Sequence, residues 1–270
     1  MKLTIQIVNY NSRECLRECL GSLDSFLAKN QDDAEIIIIN NDTEPIGYFL
    51  NAWPQAAKRP KIIEINENVG FGKAHNRGFK EAQGKYVLFL NPDTKITAES
   101  LEKMLNVFEA DEKIGIAGPI LVDGEGRFQN ECWGFKKTPL STIKSKLSGS
   151  ATRAEEEGIF EVDWVSGGAM IIRKNIFSEL GGFDEKYFMY FEDVDLCLQA
   201  KKNGWKIAVN PAARVYHRGG KSFLSHRDKK KYYYASQNYY LKKNFGSWRA
   251  RLVKMLRLPI YIRNVYLNKL

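Results

Sequence analysis

The chain lacks several features that would place it quickly in a class of protein. It contains only four cysteines in 270 residues, and their spacing is not that of a metal site. We therefore expect reduced, mostly buried thiols in a cytosolic protein. No apolar run reaches the roughly 18 residues that a transmembrane helix needs. The first residues enter a strand pattern at once, without the features of a signal peptide.

Two common nucleotide-binding motifs are also missing. The loop Asn68–Gly78 carries glycines, but it matches neither the P-loop nor G-x-G-x-x-G. A dehydrogenase would need that dinucleotide fingerprint, so this class is excluded. The loop is either an ordinary strand-to-helix turn or a phosphate contact, with Lys73 and Arg77 near a helix N-terminus.

Acidic residues are scarce at the C-terminal end of the chain. Residues 226–270 contain twelve Lys or Arg and one acid, Asp228, which gives this segment a formal charge of +11. Since the whole chain carries +9, residues 1–225 carry −2. We therefore predict two parts, a near-neutral body at 1–225 and a basic, aromatic helical tail at 226–270.

Core-forming residues, by contrast, are plentiful. Hydrophobic residues make up 44% of the chain and aromatic residues 12%, which is ample for a core. Apolar strand patterns alternate with helical patterns, which predicts an α/β fold with a mostly parallel central sheet flanked by helices. The predicted strands are 3–8, 36–39, 61–65, 86–90 and 114–122. The predicted helices lie around 16–27 and 98–110, and a third follows the loop at 66–78 and ends at about 83.

Tyr86–Leu90 is the predicted centre of the sheet, because its five consecutive apolar residues indicate burial on both faces. Asn91-Pro92-Asp93 ends this strand and presents Asp93 at the carboxyl edge, where open α/β sheets bind ligands. The Asp93 side chain either closes a turn or coordinates Mg²⁺ or Mn²⁺ on a diphosphate. Polar residues also follow the first two strands, at 9–11 and 40–43, which suits a nucleotide at this edge.

The second half of the body has less regular patterns. Residues 124–135 predict a hairpin or loop, and 138–158 a mobile surface segment. Residues 160–172 alternate and carry two glycines, which indicates a strand that passes close to another group. Two short strands are predicted at 205–209 and 214–217.

Three more side chains are candidates for chemistry. Glu192 and Asp193 follow a cluster of aromatic residues and Met; they are either ordinary acids of a first helical turn or carboxylates that burial tunes toward a general base. His217 ends a short strand before Gly219. It is either a surface or core histidine or the completion of an ion site with Asp93.

Taken together, the motifs resemble those of inverting nucleotide-sugar glycosyltransferases of family two, which have the GT-A fold. The resemblance covers roughly residues 3–220. Within the family, the chain is most similar to the rhamnosyltransferase-like members. Its motifs are Val8-Asn9-Tyr10-Asn11, Asn40-Asn41-Asp42-Thr43, Asn68-Val69-Gly70-Phe71-Gly72, Asn76-Arg77-Gly78, Leu90-Asn91-Pro92-Asp93-Thr94, Gly181-Gly182-Phe183-Asp184-Glu185 and Tyr190-Phe191-Glu192-Asp193-Val194-Asp195-Leu196.

The resemblance implies roles for individual positions. Asp193 stands where the family has its catalytic base, with Glu192 beside it. Asp93 is the implied ligand of Mg²⁺ or Mn²⁺, and His217 is a further metal or diphosphate contact. The implied donor-binding positions are Asn9, Asn11, Asn40, Asp42, Asn68, Gly70, Lys73, Asn76, Asn91, Trp164 and Gly167.

The sequence departs from the family pattern at two positions. Asn40 replaces the usual aspartate after the second strand, which makes the expected base contact a neutral amide. Asn91 replaces the first aspartate of the D-x-D motif, which leaves Asp93 as the charged ligand. The Q-x-x-R-W pattern of processive synthases is absent, so we expect one or few sugars to be added per encounter.

The resemblance also implies the partners. A dTDP- or UDP-sugar would bind the half at about 1–122, and a glycan or lipid-linked acceptor the half at about 123–225. The tail is either a helix packed on the body or a basic amphipathic segment on an anionic membrane, which would place the protein on the inner face of the cell membrane. No nucleic-acid module precedes the tail, so nucleic acid is not expected. The oligomeric state stays open.

Two other functions compete with this reading. A sugar nucleotidylyltransferase would carry a glycine-rich, basic loop after the first strand, where this chain has Asn9–Ser12. A binding protein without catalysis would not need both Asp93 and Asp193.

Overall fold

A nine-stranded sheet forms the centre of the structure, a computed structural model that describes residues 2–47, 59–130, 132–144, 158–219 and 225–267. The strands are β1 (Leu3–Asn9), β2 (Ala34–Asn40), β3 (Lys61–Glu64), β4 (Tyr86–Leu90), β5 (Thr94–Ile96), β6 (Ile114–Val122), β7 (Trp133–Gly134), β8 (Phe160–Val162), β9 (Trp164–Val165), β10 (Ala169–Arg173) and β11 (Lys206–His217). The sheet order is β3-β2-β1-β4-β10-β6-β11-β5, with β8 paired to β11, while β7 and β9 form a separate pair.

Helices cover this sheet and continue into the C-terminal tail. They are α1 (Arg13–Lys29), α2 (Phe71–Phe79), α3 (Ala98–Ala110), α4 (Pro139–Lys144), α5 (Lys174–Glu179), α6 (Glu192–Lys202), α7 (His226–Phe245), α8 (Ser247–Leu256) and α9 (Leu258–Ile262), followed by a π-helical turn, Arg263–Leu267. The α/β class and the mostly parallel sheet predicted from the sequence are confirmed.

Strand β4 lies inside the sheet, parallel to β1 and antiparallel to β10. All five of its residues are buried, which the apolar run predicted. Each such Leu, Val or Phe side chain contributes about 1.5–3 kcal/mol by leaving water. On one face, Phe89 packs against the rings of His75, Phe177 and Phe183. Burial therefore fixes the position of β4, and with it the start of the segment that follows, Asn91–Asp93.

Three local predictions from the sequence were wrong. The segment 160–172 is not one strand but β8, β9 and β10, because a bend at Asp163 separates β8 from β9 and a turn at Gly167 and Gly168 separates β9 from β10. The two short strands predicted near the end of the body form one strand, β11, with an irregularity between Asn210 and Arg214. Part of the predicted surface segment, Pro139–Lys144, is helical and contacts α8; residues 145–157 lie outside the described residues.

The first tail helix, α7, is fastened to the body by a polar network. Lys243 Nζ lies 2.7 Å from Asp184 Oδ2 and 2.6 Å from Asp195 Oδ2, and Asp195 is only 2% exposed. The Tyr239 hydroxyl donates to Asp184, and Asn244 Nδ2 donates to Asp195. If α7 moved away, the buried carboxylate of Asp195 would lose its cation, which is costly. These contacts therefore hold α7 on the body.

Candidate active site

A cleft of about 950 Å³ opens beyond the carboxyl ends of β1 and β4. This is the edge where open α/β sheets bind ligands, and the volume suits a nucleotide. Its wall includes Tyr10, Asn41, Asn68, Asn91, Asp93, Trp164, Gly167, Glu192, Asp193 and His217 from the body, and side chains of α7 to the π-helical turn from the tail.

Asp93 and His217 meet on one wall of this cleft. The antiparallel pairing of β5 with the end of β11 places His217 opposite Thr94, next to Asp93. His217 Nε2 lies 3.4 Å from Asp93 Oδ1, and the Gly219 N–H donates to Asp93 Oδ2 at 3.1 Å. Burial opposes ionisation of Asp93, but the contacts with His217 and Gly219 outweigh it, so the pKa of this carboxyl is lowered. Asp93 is therefore an anion in a largely buried position.

Gln129 orients the imidazole of His217. Its amide nitrogen donates to the His217 carbonyl, which turns its Oε1 toward His217 Nδ1 at 2.9 Å. The network thus assigns one ring proton to Nδ1, while Nε2 faces both Asp93 and the Asn91 amide nitrogen, 3.3 Å away. A proton on Nε2 donates to Asp93, and its loss frees a lone pair that can bind a cation. A metal-binding histidine usually donates its other ring N–H in this way.

The arrangement of Asp93 and His217 fits a divalent cation. Asp93 Oδ1 and His217 Nε2 lie 3.4 Å apart, so a cation that displaces the Nε2 proton would have both atoms as ligands. In the described part of the chain no group of three or more His, Cys, Asp or Glu side chains is placed to hold a metal. The site therefore suits an ion that takes few protein ligands and completes its shell with water and substrate phosphates.

Asp193 lies at the first turn of α6, on the wall of the same cleft. Its Oδ2 accepts from the Gly167 N–H at 2.8 Å and its Oδ1 from the Val194 N–H at 2.7 Å. Burial raises the pKa of Asp193, while these two N–H groups and the charge of Lys137 act against the rise. The result is a half-buried, fixed carboxylate with a raised pKa, which suits a general base.

The environment of the Glu192 side chain differs from that of Asp193. The side chain is 5% exposed, and its Oε2 has no hydrogen-bond partner among the described residues. Burial first, and then the charge of Asp193, raise its pKa well above the ordinary value for glutamate. Burial and the charge of Asp193 therefore favour the protonated form of Glu192, and Asp193, which two N–H groups hold, is the better base of the two.

The turn that presents these acids is strained. Tyr190 and Phe191 both have positive φ, 70° and 69°, a conformation that costs a non-glycine residue about 1–3 kcal/mol. Helix α7 braces this turn: Ser236 Oγ donates to the Met189 carbonyl, and the ring of Tyr233 packs on the rings of Tyr190 and Phe191. The fastened helix α7 therefore helps to fix the position of Asp193.

Eight of the residues predicted for the site line the cleft: Asn68, Asn91, Asp93, Trp164, Gly167, Glu192, Asp193 and His217. Asn9 and Asn40 do not, because both are fully buried beneath it. Asn9 Nδ2 donates to Asn40 Oδ1, and Asn40 Nδ2 donates to Glu64. Their amides hold the ends of β1 and β2 together, and the neighbouring Tyr10 and Asn41 reach the cleft instead.

The remaining predicted donor contacts also lie outside the cleft wall: Asn11, Asp42, Gly70, Lys73 and Asn76. Asn76 joins α2 to the segment before α6, since it donates to the Phe183 carbonyl and accepts from the Phe183 N–H. Gly70 has φ 90°, and a Cβ there would lie 2.4 Å from the Phe188 carbonyl oxygen. Both residues therefore shape the turn that carries Asp193, without facing the cleft.

Besides Tyr10 and Asn41, the residues of the cleft wall that sequence reasoning missed include Gln129 and Lys137. Lys137 Nζ lies 4.3 Å from the centre of the Trp164 ring and lowers the pKa of Asp193. Both come from irregular segments with no periodic pattern or motif, so the sequence carried no signal for them.

Comparison with known proteins agrees with this geometry. The profile described as Glycosyl transferase family 2 matches residues 4–181, well over half of the chain. The chain belongs to glycosyl transferase family 2. This glycosyltransferase family is the one that the strand-end motifs predicted, and the rival nucleotidylyltransferase is thereby set aside.

Several curated members of the family are rhamnosyltransferases. An N-acetylglucosaminyl-diphospho-decaprenol L-rhamnosyltransferase of Mycobacterium tuberculosis is 27% identical over 294 aligned positions, which cover 97% of this chain and 91% of the relative. The rhamnosyltransferase WbbL of Escherichia coli is 27% identical over 256 positions, covering 89% and 90%. The predicted similarity to rhamnosyltransferase-like members is confirmed.

Solved family structures share the fold. Staphylococcus aureus TarS 1–349 in complex with UDP-GlcNAc has a TM-score of 0.62 at 18% identity, covering 99% of this chain and 74% of that one. The mannosyltransferase PcManGT of Pyrobaculum calidifontis, in complex with GDP-Man and Mn²⁺, has a TM-score of 0.62 at 14% identity, covering 98% and 69%. The GT-A fold predicted from the motifs is confirmed.

Proposed function

We propose that this glycosyltransferase moves rhamnose or a similar sugar from a dTDP- or UDP-sugar to a hydroxyl of a lipid-linked or glycan acceptor in the synthesis of cell-surface polysaccharide. One observation carries the proposal: a single cleft contains both an anionic Asp93 facing His217 and a backbone-fixed Asp193 with a raised pKa. The relatives' names support rhamnose as the sugar.

The donor would bind across the carboxyl ends of β1 and β4, in the half at about 1–122. Tyr10, Asn41 and Asn68 line this end of the cleft and would contact the nucleoside. Asn41 Nδ2 donates to Asn68 Oδ1, and its Oδ1 accepts from the Val69 N–H, so the pair is preorganised. Asp93 and His217 would hold Mg²⁺ or Mn²⁺, which would offset the charge that develops on the departing diphosphate.

The residues of the half at about 123–225 would act on the acceptor. An acceptor hydroxyl would attack the anomeric carbon from the side opposite the leaving nucleoside diphosphate, which inverts that carbon. Asp193 would accept the hydroxyl proton, because its carboxylate is fixed by the Gly167 and Val194 N–H groups. Glu192, which is buried and has a raised pKa, would support the turn without exchanging a proton in each cycle.

Thermal unfolding with a panel of nucleotide sugars tests the proposed donor. We expect dTDP-rhamnose or a UDP-sugar at about 100 times its dissociation constant to raise the midpoint by roughly 5–10 °C in Mn²⁺. GDP-mannose serves as the matched control and should give little shift, and EDTA should remove the effect. A chain that no nucleotide sugar stabilises would refute the proposal. A chain that binds a donor but neither hydrolyses nor transfers its sugar would be the silent binding protein.

We further propose that the end of the tail lies on an anionic membrane. No helix in the described ranges is long and apolar enough to cross a membrane. Yet large apolar side chains are exposed throughout α8, α9 and the π-helical turn: Trp248, Leu252, Met255, Leu256, Leu258, Ile260, Ile262 and Tyr266. Basic residues are interspersed among them: Arg249, Arg251, Lys254 and Arg263. Such a combination favours an interfacial position at anionic headgroups.

Flotation with anionic liposomes tests the membrane proposal. The full chain with Leu252→Ser, Met255→Ser and Leu258→Ser should lose at least about tenfold in liposome binding, because each change removes apolar area that enters the interface. Helix α7 is left intact, so the active site keeps its support. Ile159→Ser, at an exposed apolar residue outside the tail, is the control and should float like wild type. Equal flotation of wild type, the triple tail variant and Ile159→Ser would contradict the membrane proposal.

A further inference from the structure

The cleft extends past the catalytic turn into a basic end. We define the tail pocket as the part lined by Lys229, Lys230, Tyr234, Arg257, Arg263 and Asn264. Four of these six side chains are cations. The acids that line the cleft, Asp93, Glu192 and Asp193, all belong to the body. The tail pocket is therefore positive, and its cations come from the tail, whereas Asp93 and His217, where the donor diphosphate is expected, come from the body.

Arg257 is the unusual residue of this pocket. It lines the cleft but is only 7% exposed. Its Nη2 donates to Asn238 Oδ1 at 2.8 Å, while its Nη1 is buried without a hydrogen-bond partner among the described residues. Burial lowers the pKa of the guanidinium, and no carboxylate in the described part of the chain forms an ion pair with it. An unpaired N–H of a buried charged group is costly, so its presence at a ligand cleft points to an anion.

The surroundings of Arg257 indicate which kind of anion. A guanidinium binds phosphate oxygens in pairs, and nearby ammonium groups add charge without fixing geometry. Leu256 and Ile260 also line this end of the cleft, and both continue into the exposed apolar surface of α8 and α9. The pocket thus combines a phosphate-binding guanidinium with an apolar exit.

We propose that the tail pocket binds the diphosphate of a polyprenyl-linked acceptor, with Arg257 as its main contact and Lys229, Lys230 and Arg263 around it. The inference rests on the proposed function, whose acceptor is lipid-linked. The prenyl chain leaves along Leu256 and Ile260 toward the membrane, and the sugar on the diphosphate extends toward Asp193. The tail thereby selects an acceptor with a phosphate at the membrane interface, in addition to holding the enzyme there.

Calorimetry with farnesyl diphosphate as the probe tests this site directly. EDTA is present throughout, so that a metal-dependent donor site does not bind the probe. We expect the wild-type chain to bind and Arg257→Gln to weaken binding by about 10–100-fold. Arg249→Gln, an exposed arginine of α8 that is not in the pocket, is the control and should bind like wild type. A wild-type chain that does not bind the probe, or an unchanged affinity of Arg257→Gln, would overturn the proposal.

A second variant covers the case in which Arg257→Gln does not fold. Lys230→Gln with Arg263→Gln changes only partly or fully exposed cations of the pocket, and it should weaken farnesyl diphosphate by roughly tenfold. With a polyprenyl diphosphate-sugar as acceptor, the same variants should raise KM while kcat changes little. A lower kcat at unchanged KM would count against a binding role.

Further arms separate the possible sources of the phosphate. Phosphatidylglycerol vesicles should compete only weakly with farnesyl diphosphate for the tail pocket. If the variants lost vesicle binding but bound farnesyl diphosphate as wild type does, the pocket would be a site for lipid headgroups and the proposal would be wrong. Mn²⁺-dependent donor binding and donor hydrolysis should be unchanged in all the variants. If the wild-type chain binds no donor, the proposed function fails; if it binds donor but not the prenyl probe, only the tail pocket fails.

Discussion

Asp193→Asn is expected to lower the rate of sugar transfer by about 10²–10⁴-fold, the usual contribution of a general base. The asparagine has nearly the same shape, and its oxygen still accepts one of the two N–H groups that hold Asp193. The asparagine side chain, however, has no basic oxygen that can take the proton of the acceptor hydroxyl. Donor binding should therefore persist, which calorimetry measures while a radiolabelled-sugar assay follows transfer.

The neighbouring acid provides a matched control. Glu192→Gln replaces a buried carboxyl, whose pKa is raised well above its ordinary value, by an amide of nearly the same shape. We expect transfer within a few-fold of wild type, since burial already disfavours the charged form of Glu192. A loss in Glu192→Gln as large as in Asp193→Asn would reassign the base to Glu192, and near-normal transfer by Asp193→Asn would refute the assignment.

The pH dependence of transfer gives a second readout of the same base. Asp193 must be ionised to accept a proton, so activity is present above its pKa in the folded protein and is lost as pH falls through it. Burial raises this pKa, while the backbone N–H groups and Lys137 oppose the rise; the neighbouring Glu192 has a raised pKa of its own. We therefore expect the acid limb of kcat/KM above the ordinary aspartate value of about 3.9. Glu192→Gln should keep this limb.

Asp93→Asn is expected to weaken metal-dependent donor binding by at least about 10–100-fold, the loss seen even when outer partners of metal ligands are removed. Asp93 supplies the charged ligand of the proposed ion site, because Asn91 is neutral and His217 contributes a lone pair. The asparagine can still accept from the Gly219 N–H, so the loop after β11 should keep its place. Calorimetric titration of the donor at several Mn²⁺ concentrations measures the effect.

Asn91→Asp tests the same site in the opposite direction. It restores the acid that the family motif has at this position, next to His217 Nε2. A second carboxylate should lower the Mn²⁺ concentration needed for half-maximal donor binding. If Asp93→Asn left donor affinity and its Mn²⁺ dependence unchanged, the ion would have to bind elsewhere, and Asn91→Asp would then have no effect on it.

Local patterns predicted those parts of the molecule that depend on neighbouring residues in the chain. The apolar run Tyr86–Leu90 predicts a buried central strand because five consecutive apolar residues that end at turn residues are typical of a strand covered on both faces. Asp93 is a predicted site residue because it follows this strand, and the acids at 192–193 because they match the family motif. Both Asp93 and Asp193 do line one cleft.

Motif position alone did not predict which side chain of a strand end faces the ligand. Asn9 and Asn40 occupy the matched positions, but they hydrogen-bond to each other beneath the cleft, and Tyr10 and Asn41 line it. A shift of one residue in an extended chain reverses the direction of the side chain. The packing of β1 against β2 decides that direction, and sequence spacing does not contain it.

The amino-acid sequence by itself determined the family, the order of the main strands and helices over about residues 1–122, the position of Asp93 after β4 and the basic character of the tail, because these depend on short-range patterns. Only the tertiary structure decided the partners. It brought His217 to Asp93 and Gln129 to His217, buried Glu192 while fixing Asp193 with two N–H groups, and fastened α7 behind the strained turn at Tyr190 and Phe191. Long-range contacts, burial and local charge set these properties, and all three appear only when distant segments pack together.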